Sequence, residues 1–392
     1  MPQRAGDAAA GRDRPADVAG LRVAVVNWRD PWHPSAGGAE QYAWQMAVGL
    51  LARGARVWYL TARAPGQSRR ERREGVQLVR TGSRLSVYPL VLSWLAAHRR
   101  AFDVVLDCQN GIPFFTPWVL PRRVPVVCVM HHVHDAQFGV HFPPLVAAIG
   151  RLLEGPVSRW AYRRHECVAV SQSTVAAMRE RLGWTGPIHV VPNGLTADYL
   201  RCATPPQPGM PEVPVLTWVG RLVAHKRVER VLDVAGRLGD GAVIEVIGRG
   251  AVATSLQSEI TARGLAGQVR LRGFLPEAAK RAAVAGSLLH LNTSQGEGWG
   301  LCVLEAAALG VPTVAYDVDG LRDAVRDGET GWLVRAGQRI EDVAERAVKE
   351  LSDPVTRAEM AAACRRWASQ FDWDTSVSQM ARVIADAQRR HE

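Results

Sequence analysis

The chain has 392 residues, 47% of them hydrophobic, enough for two packed cores and well outside the composition of a disordered protein. No stretch of about twenty apolar residues occurs, so no segment reads as a membrane span, and the six scattered cysteines argue against a zinc cluster or disulfide framework and for a reducing cytoplasm. The net charge of +10 is uneven: residues 1–211 hold 25 Lys+Arg and 14 Asp+Glu (+11), and residues 212–392 hold 23 and 24 (−1).

Residues 1–20 lack an apolar run and read as a disordered tail with no signal peptide. "LRVAVVNW" (21–28) then reads as a strand, followed by a helix to Arg53 and the strand "RVWYLTA", a β-α-β unit. "RRERRE" (69–74) reads as a solvated loop, and "LSVYPLVLSWLAA" (85–97) as a core helix or at most an interfacial one. Strands "DVVLD", "PVVCVM" and "CVAVS" follow, the last leading into helix "STVAAMRERLG". This alternation predicts a parallel sheet with helices on both faces over 21–203.

Residues 204–214 are proline-rich and read as a linker. A second alternating set covers 215–370: "VLTWVG", "VERVLDVAGRL", "AVIEVIG", "ATSLQSEITARG", "VRLRGF", "LLHLN", "LCVLEAAAL" and "PTVAYD". Residues 371–392 read as a closing helix that packs back on the first domain. The expected fold is therefore α/β, two Rossmann-like doubly wound domains facing a cleft at the C-terminal ends of their strands.

The chemistry concentrates in "QGEGWGLCVLEAAALGVP" (295–312). Glu297 sits in a glycine turn, and Glu305 eight residues later on the helix that follows. The start of that helix offers unpaired N–H groups and a partial positive charge, an anion site. A carboxylate before it cannot bind phosphate, but it accepts hydrogen bonds from hydroxyls on the same ligand, and Glu305 suits a second set. An anion between two polyol ends describes a nucleotide-sugar. Arg221 and Lys226, in "VGRLVAHKR" after the second domain's first strand, would neutralise a diphosphate. "VIGRG" (246–250) is a further strand-end glycine turn.

In order along the chain, "GGAE", "VPNG", "VGRL…K", "GRG" and "EGWGLCVLEAAALGVP" resemble the retaining glycosyltransferases of family 4, which have the two-domain GT-B fold. The resemblance spans about residues 21–385. It implies that Arg221 and Lys226 hold the donor diphosphate and that Glu297 bonds the sugar hydroxyls. Gly298, Trp299 and Gly300 would offer main-chain amides, and Glu305 would hold the ribose. Gly37, Gly38 and Gly248 would complete the donor site, and His131 would lie against the transferred sugar. The family implies a front-face substitution in which the departing diphosphate helps deprotonate the acceptor, with no metal and no other cofactor.

Four departures from the family pattern stand out. Trp299 replaces a usual phenylalanine, Arg249 a commoner acidic residue, and "DVDGLRDAV" matches the glycine-and-glutamate segment only loosely. "HHVHD" leaves the cleft histidine open among His131, His132 and His134. The spacing does not fit the His-x-His-x-Asp-His run of metal hydrolases, because Asp135 directly follows His134.

The expected activity is transfer of a sugar from a UDP- or GDP-linked donor to a hydroxyl acceptor, with a sugar-nucleotide epimerase and a non-catalytic binder of anionic lipid as rivals. No basic stretch is interleaved with aromatics as nucleic-acid binding needs. The basic, apolar stretches "YPLVLSWLAAHRRAF" and "GRLLEGPVSRWAYRRHE" would rest on the anionic inner face of the cell membrane, making the acceptor lipid-linked. The competing reading is codon-biased arginine enrichment with a soluble acceptor.

Overall fold

The computed structural model describes residues 18–135, 138–139, 143–201 and 213–391. The expected tail through residue 17 and the expected linker through residue 212 lie outside the described residues. Val18, inside the expected tail, is buried, and the Gly20 N–H donates to the Gly54 carbonyl at 2.9 Å. The packed chain therefore includes the last part of that segment.

The first sheet contains β1 (Arg22–Val26), β2 (Arg56–Thr61), β3 (Arg70–Arg73), β4 (Val76–Arg80), β5 (Val104–Gln109), β6 (Val126–Met130), β7 (Glu166–Ala169) and β8 (Ile188–Val190). Their order is β3-β4-β2-β1-β5-β6-β7-β8, and every pairing is parallel except β3 with β4. Strand β6, "VVCVM", is buried at every position, as a parallel strand covered on both faces must be.

The stretch expected as a loop at 69–74 is instead the antiparallel edge strand β3. Its period of two turns Glu71 and Arg73 partly inward, and Glu71 meets the buried Arg80 at 2.7 Å. Arg80 also pairs with the buried Asp30 at 2.5 Å. This network gives a charged segment a reason to pair as an edge.

The second sheet contains β9 (Val215–Val219), β10 (Val243–Ile247), β11 (Val269–Gly273), β12 (Leu289–Asn292), β13 (Thr313–Tyr316) and β14 (Gly331–Val334). Its order, β11-β10-β9-β12-β13-β14, is all parallel and is the dinucleotide-fold order, with the switch point between β9 and β12. The sequence pattern passes over β4, β8, β14 and helices Pro144–Leu152, Ile340–Leu351 and Pro354–Ala368.

Helix Trp373–Arg389 crosses back to the first domain and lies along helix Gly38–Ala52. Val377, Met380, Ile384 and Ala387 form its buried stripe at helical spacing. Arg53 donates to Asp374 Oδ1 and Ser378 Oγ, each at 2.7 Å, and Arg390 pairs with the buried Glu166 at 2.6 Å. The return passes beside the outgoing chain, where the Leu195 N–H donates to the Phe371 carbonyl at 2.9 Å.

Candidate functional site

Strand β12 ends at Asn292, and the next residues are pinned from beneath. Thr293 Oγ1 accepts from Trp218 Nε1 at 2.9 Å and donates to the Lys226 carbonyl at 2.7 Å. The turn 296–300 closes at Gly300, whose φ of +84° caps helix Leu301–Ala308. Glu297 faces Lys226: the ammonium donates to Oε1, which also accepts from Ser294 Oγ at 2.7 Å. Burial works against the charged carboxylate, but Lys226 and Ser294 outweigh it and hold the carboxyl below its ordinary range.

Glu305 has a second lysine. Lys280 Nζ lies 2.9 Å from Glu305 Oε2 and 3.0 Å from Glu277 Oε1, and Tyr199 donates to Glu277 at 2.6 Å. Burial pushes the Glu305 carboxyl above the usual range against the pull of Lys280. Burial would lower Lys280, yet its two carboxylates win and raise it. A neighbouring thiol, Cys302, is pushed up to about 12 by burial, which removes it as a nucleophile at neutral pH.

The opposite wall comes from the first domain. Gly37 starts helix Gly38–Ala52, its N–H donating to Glu40 Oε2 at 2.7 Å while Arg29 holds Oε1 at 2.9 Å. Arg221 reaches across the cleft to within 3.4 Å of the Ser35 carbonyl and makes no ion pair among the described residues. Arg221 thus presents a cation to the cavity between the domains.

His131 follows β6, 6% exposed and edge-on to Tyr42 at 5.0 Å, with Nε2 buried and unpartnered. Burial and His134 lower its pKa to about 3, so the imidazole is neutral and offers a hydrogen bond without charge. His132 is lowered to about 3 chiefly by burial and bonds the Glu297 main chain. His134 is tied to Glu154, whose Oε1 accepts its main-chain N–H at 2.7 Å. Gly298 packs so closely that a Cβ there would lie 2.2 Å from the His131 carbonyl. Any side chain at this position would wedge the domains apart.

His131, Arg221, Lys226, Glu297, Gly37, Gly38, Gly298, Trp299, Gly300 and Glu305 all line one cavity of about 1470 Å³ between the sheets. Gly248 does not line it. With φ at +148°, its Cβ would fall 1.8 Å from the Gly220 carbonyl, so this glycine lets two strand-end loops touch. His132 and His134 line the cavity as well, and only His131 pairs an orphaned ring nitrogen with the Gly298 contact. The sequence reading missed Lys280, Glu277, Tyr199 and Ser294. Lysine usage was a signal: only three lysines occur in the chain, and two are ion-paired to the two site glutamates.

Two doubly wound domains enclose a cleft, with a carboxylate pair around a helix N-terminus and cations beside it. Residues 36–199 match the model of Glycosyltransferase Family 4, and residues 205–367 match Glycosyl transferases group 1. The chain is 28% identical over 364 residues to a phosphatidyl-myo-inositol mannosyltransferase of Mycobacterium leprae, covering 88% of this chain and 92% of that protein. It is 30% identical over 325 residues to a D-inositol 3-phosphate glycosyltransferase of Streptomyces avermitilis, covering 77% and 69%. Sucrose-phosphate synthase of Thermosynechococcus elongatus shares the fold, with a TM-score of 0.76 at 18% identity over 92% of this chain and 98% of that one. The Anabaena protein Alr3699/HepE, solved in complex with UDP-glucose, gives a TM-score of 0.68 at 19% identity over 93% and 100%. The chain belongs to glycosyltransferase family 4.

Proposed function

We propose that the protein transfers a sugar, with retention of anomeric configuration, from a UDP- or GDP-sugar to an acceptor hydroxyl without a metal ion. The observation that carries this reading is the paired arrangement Lys226–Glu297 and Lys280–Glu305 on either side of the Gly298–Gly300 turn, with Arg221 opposite. The helix start, Lys226 and Arg221 would neutralise the charge that develops on the leaving diphosphate, the role a bridging metal plays elsewhere. Glu297 would orient the sugar hydroxyls and Glu305 the ribose. Neutral His131 would accept from, or donate to, a sugar hydroxyl on the face where the acceptor enters. The acceptor proton would pass to a diphosphate oxygen as the glycosidic bond breaks. A thermal-shift panel of UDP-, GDP-, ADP- and dTDP-sugars identifies the donor, and the anomeric configuration of the product tests retention. Stabilisation by none of them, or an inverted product, refutes the reading. Release of an epimerised sugar without acceptor would favour the epimerase.

For the acceptor, the proposal is a lipid-linked molecule at an anionic membrane. Helix Pro144–Leu152 exposes Leu145, Val146, Ile149 and Leu152, and Trp160 beyond it is 57% exposed with Arg163 lying 4.9 Å over its ring. Arg151 and Arg159 flank the same stretch. The Mycobacterium leprae relative, by name, acts on a phosphatidyl-inositol, which supports this choice. No described helix is long and apolar enough to cross a membrane. Vesicle co-sedimentation at low salt decides: binding that is absent, or equal for neutral and anionic lipid, removes the membrane part.

A further inference from the structure

The segment after β13, residues 317–324, is the "DVDGLRDA" stretch that fits the family pattern loosely, and it makes direct contact with the opposite domain. We propose that Asp319 and Asp323 are positioning residues that grip both ends of helix Gln172–Glu180 and so set the Glu297 turn in a closed cleft.

The contacts at the start of that helix follow from capping. Ser171 is its N-cap, and its hydroxyl accepts from the Thr174 N–H at 3.1 Å. The Ser173 N–H has no acceptor within its own helix, as the first turn requires. Asp323, from the other domain, accepts it at 3.1 and 3.3 Å and also accepts from the Ser173 hydroxyl. The carboxylate thus sits at the positive end of the helix, and Ser173 is only 5% exposed.

At the far end, Arg181 is the C-cap residue and donates to Asp319 Oδ2 at 2.9 Å while also pairing with Asp135 of its own domain. Asp319 is in turn held by Arg322 at 3.3 Å. Only the Asp323 contact complements the helix dipole; at the C-terminal end the favourable charge is Arg181 itself, which Asp319 holds as an ion-pair partner, and both aspartates come from a single short segment.

That segment also touches the site. The Glu297 N–H donates to the Asp319 carbonyl at 2.9 Å. Asp319 thus carries the first domain on its side chain and the Glu297 turn on its main chain. Opening the cleft would strip Asp319 and Asp323 of their partners across it and free the backing of the turn. Closure and the placement of Glu297 are one event, and its catalytic consequence rests on the sugar-binding role given to Glu297 above.

The test uses the full chain with Ser173→Ala, Asp323→Ala, the double variant and Asp319→Ala. Small-angle X-ray scattering is recorded with saturating UDP or GDP, beside nucleotide affinity by calorimetry and hydrolysis of UDP-glucose or GDP-mannose. Each single variant is expected to raise the radius of gyration and to lower turnover about tenfold, with nucleotide affinity within about twofold. The Ser173→Ala/Asp323→Ala pair should be no worse than Asp323→Ala alone, since Ser173→Ala removes only the hydroxyl part of the same contact, the mark of a shared contact. Asp323→Asn, which keeps shape and acceptor oxygen, should restore part of the closure and guards against a folding defect. Unchanged scattering in Asp323→Ala, or additive losses in the pair, overturns the clamp. If Glu297→Gln keeps full turnover, the sugar role of Glu297 fails instead, and the scattering still judges the clamp by itself.

Discussion

Replacing Glu305 with alanine separates a ligand-binding role from a structural one, because the structure gives its partner a second anchor. Lys280 loses the contact at 2.9 Å but keeps Glu277 at 3.0 Å, so no buried ammonium is stranded. Breaking a buried pair outright costs about 3–5 kcal/mol. With Glu277 retained, the folding cost should be nearer 1 kcal/mol, a shift of roughly 2–4 °C in melting temperature. The ribose, by contrast, would lose a charged acceptor worth about 1.5–3 kcal/mol, or roughly tenfold to hundredfold in affinity. Titration calorimetry with UDP and GDP beside a thermal melt measures both. Lys280→Met is the counterpart, since it leaves Glu305 and Glu277 together without their cation and should destabilise the fold by about 3 kcal/mol. Nucleotide affinity unchanged in Glu305→Ala, with the melt intact, would refute the ribose assignment.

Arg221→Ala should lower turnover by about tenfold to a hundredfold with little loss of fold, whereas Lys226→Ala should lower turnover similarly but also destabilise the fold by about 3 kcal/mol, because it leaves the buried Glu297 carboxylate without its cation; initial rates and melting read both, and excess EDTA should leave the rate of the unmodified enzyme unchanged. Gly298→Ala should abolish activity while both domains stay folded, because the added methyl would meet the His131 carbonyl across the cleft; circular dichroism with a rate assay checks this. Acid should destabilise the protein. His131 and His290 are buried neutral with pKa values lowered to about 3 and about 4, so below about pH 6.5 the unfolded chain takes up protons that the native state refuses. Stability from these groups is complete above that pH and falls by up to about 2 kcal/mol for each imidazole by about pH 5. His290→Asn should flatten the fall in melting temperature between neutral pH and about pH 5.

The alternation of short β-branched strands with amphipathic helices made both sheets legible, because a parallel strand buried on both faces leaves a continuous apolar run such as "PVVCVM". β3 was not legible. Its charges look solvated until Glu71 is seen meeting a buried arginine from the neighbouring strand, a contact fixed by sheet order rather than by local pattern. In the site, Glu297, Glu305 and the glycines between them could be read from a single stretch, since a turn and a helix start are local. Lys280 could not, because it lies on helix Glu277–Ala285 and reaches Glu305 only through the packing of two helices. The same holds for Asp323 and Ser173, 150 residues apart.

The return of helix Trp373–Arg389 onto helix Gly38–Ala52 bears on how the chain is made. The apolar flank of the earlier helix leaves the ribosome early, and its cover is synthesised roughly 340 residues later. At about 5–20 residues per second the first sheet spends from nearly 20 seconds to about a minute incomplete, with the whole second domain built in the interval. The second sheet has no such wait, since its own helices follow it directly. Folding from the ribosome would then run out of chain order, the later domain closing first and the earlier one last. A fragment stopped after residue 201 would expose that flank permanently and should precipitate or recruit chaperones instead of standing as a domain.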